Sequence, residues 1–169
     1  MFIAKPGETW CEQVRAYEPV PEGYVIVPDP VSAPVDRICV ETSPGYGDWE
    51  YNGDVFKDDL TRIRQEKENL GILVDNIPLQ TDKESVAIMA GYVTEAVIDG
   101  LVTIDWKCKD KCFHTYTVQD FKPVFKVVKT YVHDCYTREM ELAAALDAAP
   151  DPSTVDLTTG WPVQEYTTV

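Results

Sequence analysis

The sequence predicts an α+β protein in three stretches: an irregular β-rich N-terminal region, a small three-helix domain with two β-hairpins, and an extended C-terminal arm. Three observations predict it. Six of the 12 prolines fall within the first 34 residues. Three helical patterns separated by turn signals lie between residues 54 and 149. Pro150 and Pro152 then end the last pattern before a largely polar tail.

The N-terminal stretch, residues 1–53, contains Pro6, Pro19, Pro21, Pro28, Pro30, Pro34 and Pro44. Proline lacks the N–H needed inside a helix or a central strand, so this stretch reads as extended chain with short strands at Tyr24–Val27 and Arg37–Glu41. Pro44-Gly45-Tyr46-Gly47 reads as a turn, which is also the plain reading of its two spaced glycines. Trp49–Asn52 reads as a strand entering an Asn52-Gly53 turn. Trp10, Tyr17, Tyr24, Tyr46, Trp49 and Tyr51 are concentrated here. Aromatic side chains bury much area at low entropic cost, so they suit either a partner surface or a cover for the chain's own core.

Residues 54–149 carry the helices. The first is expected to start at Asp58 or Asp59, with Leu60, Ile63 and Leu70 at helical spacing and Gly71 as its stop. Ile72–Leu79 reads as a hairpin turning at Asp75-Asn76. Thr81-Asp82-Lys83-Glu84 has the pattern of a capping box for a second helix, with Val86, Met89, Ala90, Val93 and Val97 on one face and Gly100 at its end. Leu101–Trp106 and Cys112–Thr117 read as a second hairpin around Lys109-Asp110-Lys111.

The third helix has the clearest pattern. Thr117 or Asp120 caps it, and Pro123 is tolerable only in its first turn. An apolar stripe then runs through Phe121, Phe125, Val128, Val132, Cys135, Leu142, Leu146 and Ala149, with Glu139 in the one position that breaks it. Such a stripe spans about 43 Å and must be buried, either within the chain or against another chain. Beyond it, residues 150–169 read as an arm that is either disordered or docked on a neighbour through Trp161. The residues singled out for partner binding are Trp10, Tyr24, Trp49, Tyr51, Trp161 and Tyr166.

Charge narrows the partners. The 29 acidic residues outweigh 15 basic ones, a formal charge of −14. A chain this acidic is repelled by nucleic acid and by anionic membranes, and suits a basic protein surface. No stretch reaches the roughly 20 apolar residues of a membrane span. Met1–Thr9 has no apolar run behind a basic start, so no secretory signal is expected. Five cysteines, Cys11, Cys39, Cys108, Cys112 and Cys135, are an odd number and read as thiols.

The sharpest chemical pattern is Cys108-x3-Cys112-x-His114, a weak metal candidate. A three-residue loop would pair Cys108 with Cys112 on one hairpin face, whereas a two-residue loop would turn them to opposite faces. His133 and Cys135 are about 200° apart around a helix and do not share a ligand face. Cysteine–histidine catalysis and paired carboxylates are both uninformative in a chain with this many of each residue. No catalytic residue and no cofactor is expected.

Several of these elements carry a resemblance: Arg62 and Arg64 on the first helix, the Gly71-led hairpin ending in Thr81-Asp82 with Ser85 behind, Trp106, Asp110, Thr117, and the run from Tyr131 through Leu142 to Leu146-Asp147-Ala148-Ala149. Over about residues 54–149 the chain resembles the uncharacterised C-terminal domain of phage tail-fibre and tail-fibre-assembly proteins. That family has an Asp-Asn turn after its tryptophan; here Asp110-Lys111 stands between two cysteines. The resemblance implies a non-enzymatic bacteriophage structural protein of the tail or tail-fibre attachment region. It would occupy the virion, and the host cytoplasm during assembly, with other tail proteins or copies of itself as partners. A tail-fibre assembly chaperone and a receptor-binding tail protein are the alternatives.

Overall fold

The computed structural model describes residues 1–15, 18–28, 37–100 and 102–167, without the side chains of Val97 and Asp99. Tyr17, Pro30, Pro34 and Leu101 lie outside the described residues. The architecture is the α+β arrangement expected from sequence: an N-terminal β-rich region followed by three helices with hairpins between them.

Two compact units emerge, residues 1–59 with 144–155, and residues 60–143 with 156–169. This differs from a division at 53/54 and 149/150. The reason lies in contacts within the first unit: Lys57 pairs with Asp147 at 2.6 Å, and the Tyr51 hydroxyl donates to Asp151 at 3.2 Å.

The first unit holds a five-stranded sheet of order β2-β1-β3-β5-β4, from β1 (Phe2–Ala4), β2 (Glu12–Gln13), β3 (Val25–Val27), β4 (Arg37–Ser43) and β5 (Tyr46–Tyr51). The turn between β4 and β5 places Pro44 before Gly45, whose φ is +79°, the pattern of a type II turn. Gly47 cannot be larger, because a Cβ there would sit 2.7 Å from Val25 Cγ2 and 2.8 Å from the Val40 carbonyl. The outer edge of β4 is covered: the Gly7 amide donates to the Cys39 carbonyl at 2.8 Å, and the Cys39 amide donates to the Glu8 carbonyl at 2.9 Å. Ala4, Val25, Val27 and Cys39 form the small core beneath. The first two strands are not legible in the sequence, being three and two residues long.

The first helix, α1 (Gly53–Asn69), starts earlier than Asp58. Asn52 is its cap, with Oδ1 accepting from the Asp54 amide at 3.2 Å, so Asn52-Gly53 begins a helix rather than turning a hairpin. Leu60 is buried and Ile63 half-buried as expected, but Leu70 is 49% exposed and the buried neighbour one turn beyond Leu60 is Arg64. Gly71, at φ +75°, ends the helix.

The hairpin of β6 (Ile72–Val74) and β7 (Ile77–Leu79) turns at Asp75 and Asn76, with φ of +51° and +65°. Two consecutive left-handed residues match the twist of the flanking strands. The second helix is α2 (Lys83–Asp99). Its cap is Asp82, which accepts from the Ser85 amide at 2.9 Å, not Thr81. Thr81 is drawn away to α1: its hydroxyl donates to the Glu68 carbonyl and accepts from the Gly71 amide at 3.1 Å. Thr81 is 2% exposed. Thr81→Val, which keeps the shape and strands both backbone groups, is expected to cost about 1–3 kcal/mol in urea unfolding. An unchanged midpoint would show that water replaces the hydroxyl.

The strands β8 (Thr103–Lys107) and β9 (Phe113–Thr117) pair with Trp106 opposite His114. Helix α3 (Val118–Ala148) begins directly after them. Thr117 caps it, accepting from the Asp120 amide at 3.2 Å and donating to the Asp120 carboxylate at 2.6 Å. Pro123 lies in the second turn rather than the first, where its missing N–H leaves the Gln119 carbonyl without its helical donor. The stripe is buried within the chain, but its register differs slightly from expectation. Phe121, Val128, Cys135, Leu142 and Leu146 are buried as expected. Val124 and Tyr131 occupy the remaining central positions, while Phe125 and Val132 flank them half-buried.

The arm is structured rather than free. After a short 3-10 turn at Pro152–Thr154, β10 (Glu165–Tyr166) pairs parallel with β6, giving a three-stranded sheet of order β10-β6-β7.

Candidate functional site

The metal-like cysteine pattern comes apart first. The second hairpin has a three-residue loop: the Cys108 amide donates to the Cys112 carbonyl at 2.8 Å, and the Lys111 amide, at φ +69°, closes the turn onto the Cys108 carbonyl at 2.9 Å. Cys108 and Cys112 are thus cross-strand neighbours, yet Cys108 is buried and Cys112 exposed. Among the described residues, no group of three or more His, Cys, Asp or Glu side chains could hold a metal ion, so Cys108, Cys112 and His114 do not form the site their spacing suggests. His114 instead packs on the Tyr116 ring at 6.4 Å.

Burial pushes the Cys108 thiol up to about 11, helped by Asp110 and opposed by Tyr116. Burial likewise pushes Cys135 up to about 11, with Tyr131 opposing. Thiols held this way stay protonated at neutral pH, the form that neither attacks nor ligates. His133 is exposed and Cys135 is part of the core, as the helical wheel predicts.

The second unit concentrates its polar chemistry where the α3 stripe is broken. Glu139 forms an ion pair with Arg64, its carboxylate 2.8 Å from Nε, and accepts a hydrogen bond from the Thr61 hydroxyl at 2.9 Å. The other side of the fork, Arg64 Nη1, pairs with Glu68. The guanidinium also lies over the Tyr136 ring, 4.3 Å from its centre. Arg64 is 7% exposed. Burial raises the Glu68 carboxyl above its ordinary value and Arg64 opposes that rise. Arg64 therefore neutralises two carboxylates that would otherwise be desolvated alone. In the sequence, Glu139 is visible only as a break in the stripe. A charge on a buried stripe demands a cation, and Arg64, four residues after Leu60, lies on the buried face of α1.

The arm supplies a second feature, a cleft of about 630 Å³ lined by Lys67, Leu70, Tyr131 and residues 158–165. Tyr131 anchors its floor by donating to the Lys67 carbonyl at 2.6 Å. Trp161 is half-buried against the core and donates from its indole to the Leu157 carbonyl at 2.9 Å. Tyr166 stacks edge-on against Tyr131 at 6.3 Å. Trp161 and Tyr166, expected as anchors for a neighbour, are thus anchors of their own chain here.

Asp156 holds the bend before Trp161. Hydrogen bonds from the Thr158 hydroxyl and amide, then from Thr159, lower its carboxyl to about 2 from 3.8. A lowered folded value means the unfolded chain binds more protons between about 2 and 3.8, so this contribution is complete above the upper value and lost as pH falls through the lower one. A carboxyl titration by NMR is expected to place Asp156 well below its exposed neighbours, and a value near 3.8 would show the bend unformed.

The remaining residues singled out for partner binding lie in the first unit. Trp10 is 49% exposed, its indole donating to Glu8 at 3.0 Å. Tyr24 is half-buried, with the Lys5 ammonium 5.1 Å from its ring centre. Trp49 packs against the small core. Tyr51 accepts from Arg37 at 2.9 Å and packs on Phe56 at 6.2 Å. Of these side chains, Trp10 presents the most free surface.

A family model described as a domain of unknown function, DUF4376, matches residues 55–159. The match covers more than half of the chain, which belongs to that family. No curated protein matches. No solved structure matches either.

Proposed function

We propose that this DUF4376 chain is a non-enzymatic structural protein of a bacteriophage tail or tail-fibre attachment region, acting through protein–protein interfaces. One observation carries the reading: the residues behind the resemblance to phage tail-fibre-associated domains are engaged in holding the fold. Arg64 neutralises Glu68 and Glu139. Thr81 ties α1 to the chain after its hairpin, Asp82 and Thr117 cap helices, and Trp106 and Tyr131 are core. A signature made of framework residues specifies a scaffold, and the function then resides on surfaces the scaffold presents. The formal charge of −14 favours basic protein partners over nucleic acid or anionic lipid.

The test is quantitative mass spectrometry of purified, washed phage particles alongside the infected-cell lysate. A fixed stoichiometric copy number in the particle is the expected result. Abundance in the lysate with absence from the particle would overturn it in favour of a tail-fibre assembly chaperone.

A further inference from the structure

We propose that the outward side of α2 is a docking site for a basic amphipathic helix of a partner protein. This rests on the interface reading and names one surface and its occupant. Glu84, Ile88, Gly91, Glu95 and Ile98 are all exposed, and they recur at steps of four, three, four and three. That is the spacing of a seam between two packed helices. Ile88 and Ile98 are 46% and 73% exposed. The opposite side of the same helix, through Val86, Met89 and Val93, already faces the core. The two isoleucines give this outward side apolar area that the chain's own core does not cover.

Gly91 adds an independent reason. It stands in the middle of a helix, where glycine is the least favourable residue after proline. A Cβ placed there meets nothing within 4 Å, so no neighbour among the described residues requires the side chain to be missing. Close approach of an outside backbone at the centre of the seam would require it.

Charge selects the occupant. Glu84 and Glu95 sit on the seam itself, with Lys83 beside its N-terminal end. A second copy is disfavoured in either orientation. Parallel packing sets Glu95 beside Glu95, and antiparallel packing about Gly91 brings each Glu95 within a turn of the other copy's Glu84. Two copies also each carry −14. An anionic lipid surface meets the same repulsion. A helix with apolar residues facing Ile88, Gly91 and Ile98, and with lysine or arginine facing the two glutamates, satisfies both features.

The experiment uses two designed helical peptides, one with leucines flanked by lysines and a twin with glutamate in place of each lysine. Binding to the full chain is followed by fluorescence anisotropy at low and high salt. The lysine peptide is expected to bind, more weakly as salt rises, and the acidic twin is not. Gly91→Gln is expected to weaken binding about tenfold or more while thermal stability is kept or raised, because the substitution favours the helix. Glu84→Lys with Glu95→Lys is expected to switch preference to the acidic twin. Unchanged affinity in Gly91→Gln, or unchanged preference after charge reversal, would overturn the proposal. So would a parent chain that sediments as a dimer and becomes monomeric in Gly91→Gln, or one that binds anionic vesicles through this face. The particle copy-number measurement is independent of all these outcomes, so this face can fail while the structural reading stands.

Discussion

Arg64→Ala is expected to lower stability by about 3–5 kcal/mol, because it leaves two carboxylates desolvated without a cation. The side chains of Glu68 and Glu139 are 15% and 20% exposed, so water cannot replace the guanidinium fully. The pair itself need not stabilise the fold; its removal by halves is what costs. Arg64→Met combined with Glu68→Gln and Glu139→Leu is therefore expected to recover most of the loss, since no charge is then stranded. The single variant should also depend on pH. Burial already raises Glu68 above its ordinary 4.5, and loss of Arg64 raises it further. A carboxyl with a raised folded value binds a proton more readily when folded, so stability falls as pH rises through that window and the penalty shrinks on acidification. Urea unfolding at pH 7 and pH 5 reads both effects. A single-variant loss under about 1 kcal/mol at pH 7, or a combined variant as unstable as the single one, would show that Arg64 is not the counter-ion this geometry describes.

The same cluster separates what is legible in the sequence from what is not. Periodicity locates α2 and α3, their caps within a residue or two, and the hairpins at Asp75-Asn76 and Lys109–Lys111, because these depend on local chemistry. The start of α1 is not legible, because Asn52-Gly53 satisfies a turn and a helix cap equally well and tertiary packing makes the choice. Thr81 misleads for the opposite reason: its hydroxyl has a distant claim, the end of α1, that outcompetes the local one. Tyr131 is left off the buried stripe because its polar tip suggests a solvent-facing position, yet it finds the Lys67 carbonyl 64 residues away. In each case a tertiary partner overrides a sequence neighbour.

The arm carries this furthest. Trp161 and Tyr166 have the composition of an external anchor, and composition does not distinguish a neighbour's groove from one's own. The parallel pairing of β10 with β6 makes the distinction, with the Leu73 amide donating to the Gln164 carbonyl at 2.7 Å and the Asp75 amide to the Tyr166 carbonyl at 3.1 Å. An arm committed to its own core turns attention to surfaces that have no such commitment. Among the helices, the outward seam of α2 combines exposed apolar residues with an unexplained glycine.

Phe121→Ala is expected to cost about 3–5 kcal/mol, the range for emptying a buried aromatic site that cannot collapse. Phe121 is fully buried, 5.9 Å from the Trp106 ring and 5.5 Å from Tyr116, with Tyr92 packed edge-on against Trp106 at 6.4 Å. Phe121, in the first turn of α3, thus touches a ring on each strand of the β8–β9 hairpin, and Trp106 carries the contact on to Tyr92 of α2. The hairpin ladder and the Thr117 cap hold Trp106 and Tyr116 in place, which prevents them from filling the space left behind. Phe121→Leu keeps much of the apolar area and is expected to cost less. Hydrogen exchange should quicken at the Ile104 and Trp106 amides in the alanine variant, and the unfolding midpoint should drop in the same order, alanine below leucine below parent. A loss under about 1.5 kcal/mol, or leucine costing as much as alanine, would mean that the hairpin moves to close the cavity and that the aromatic cluster is not the element fixing its position.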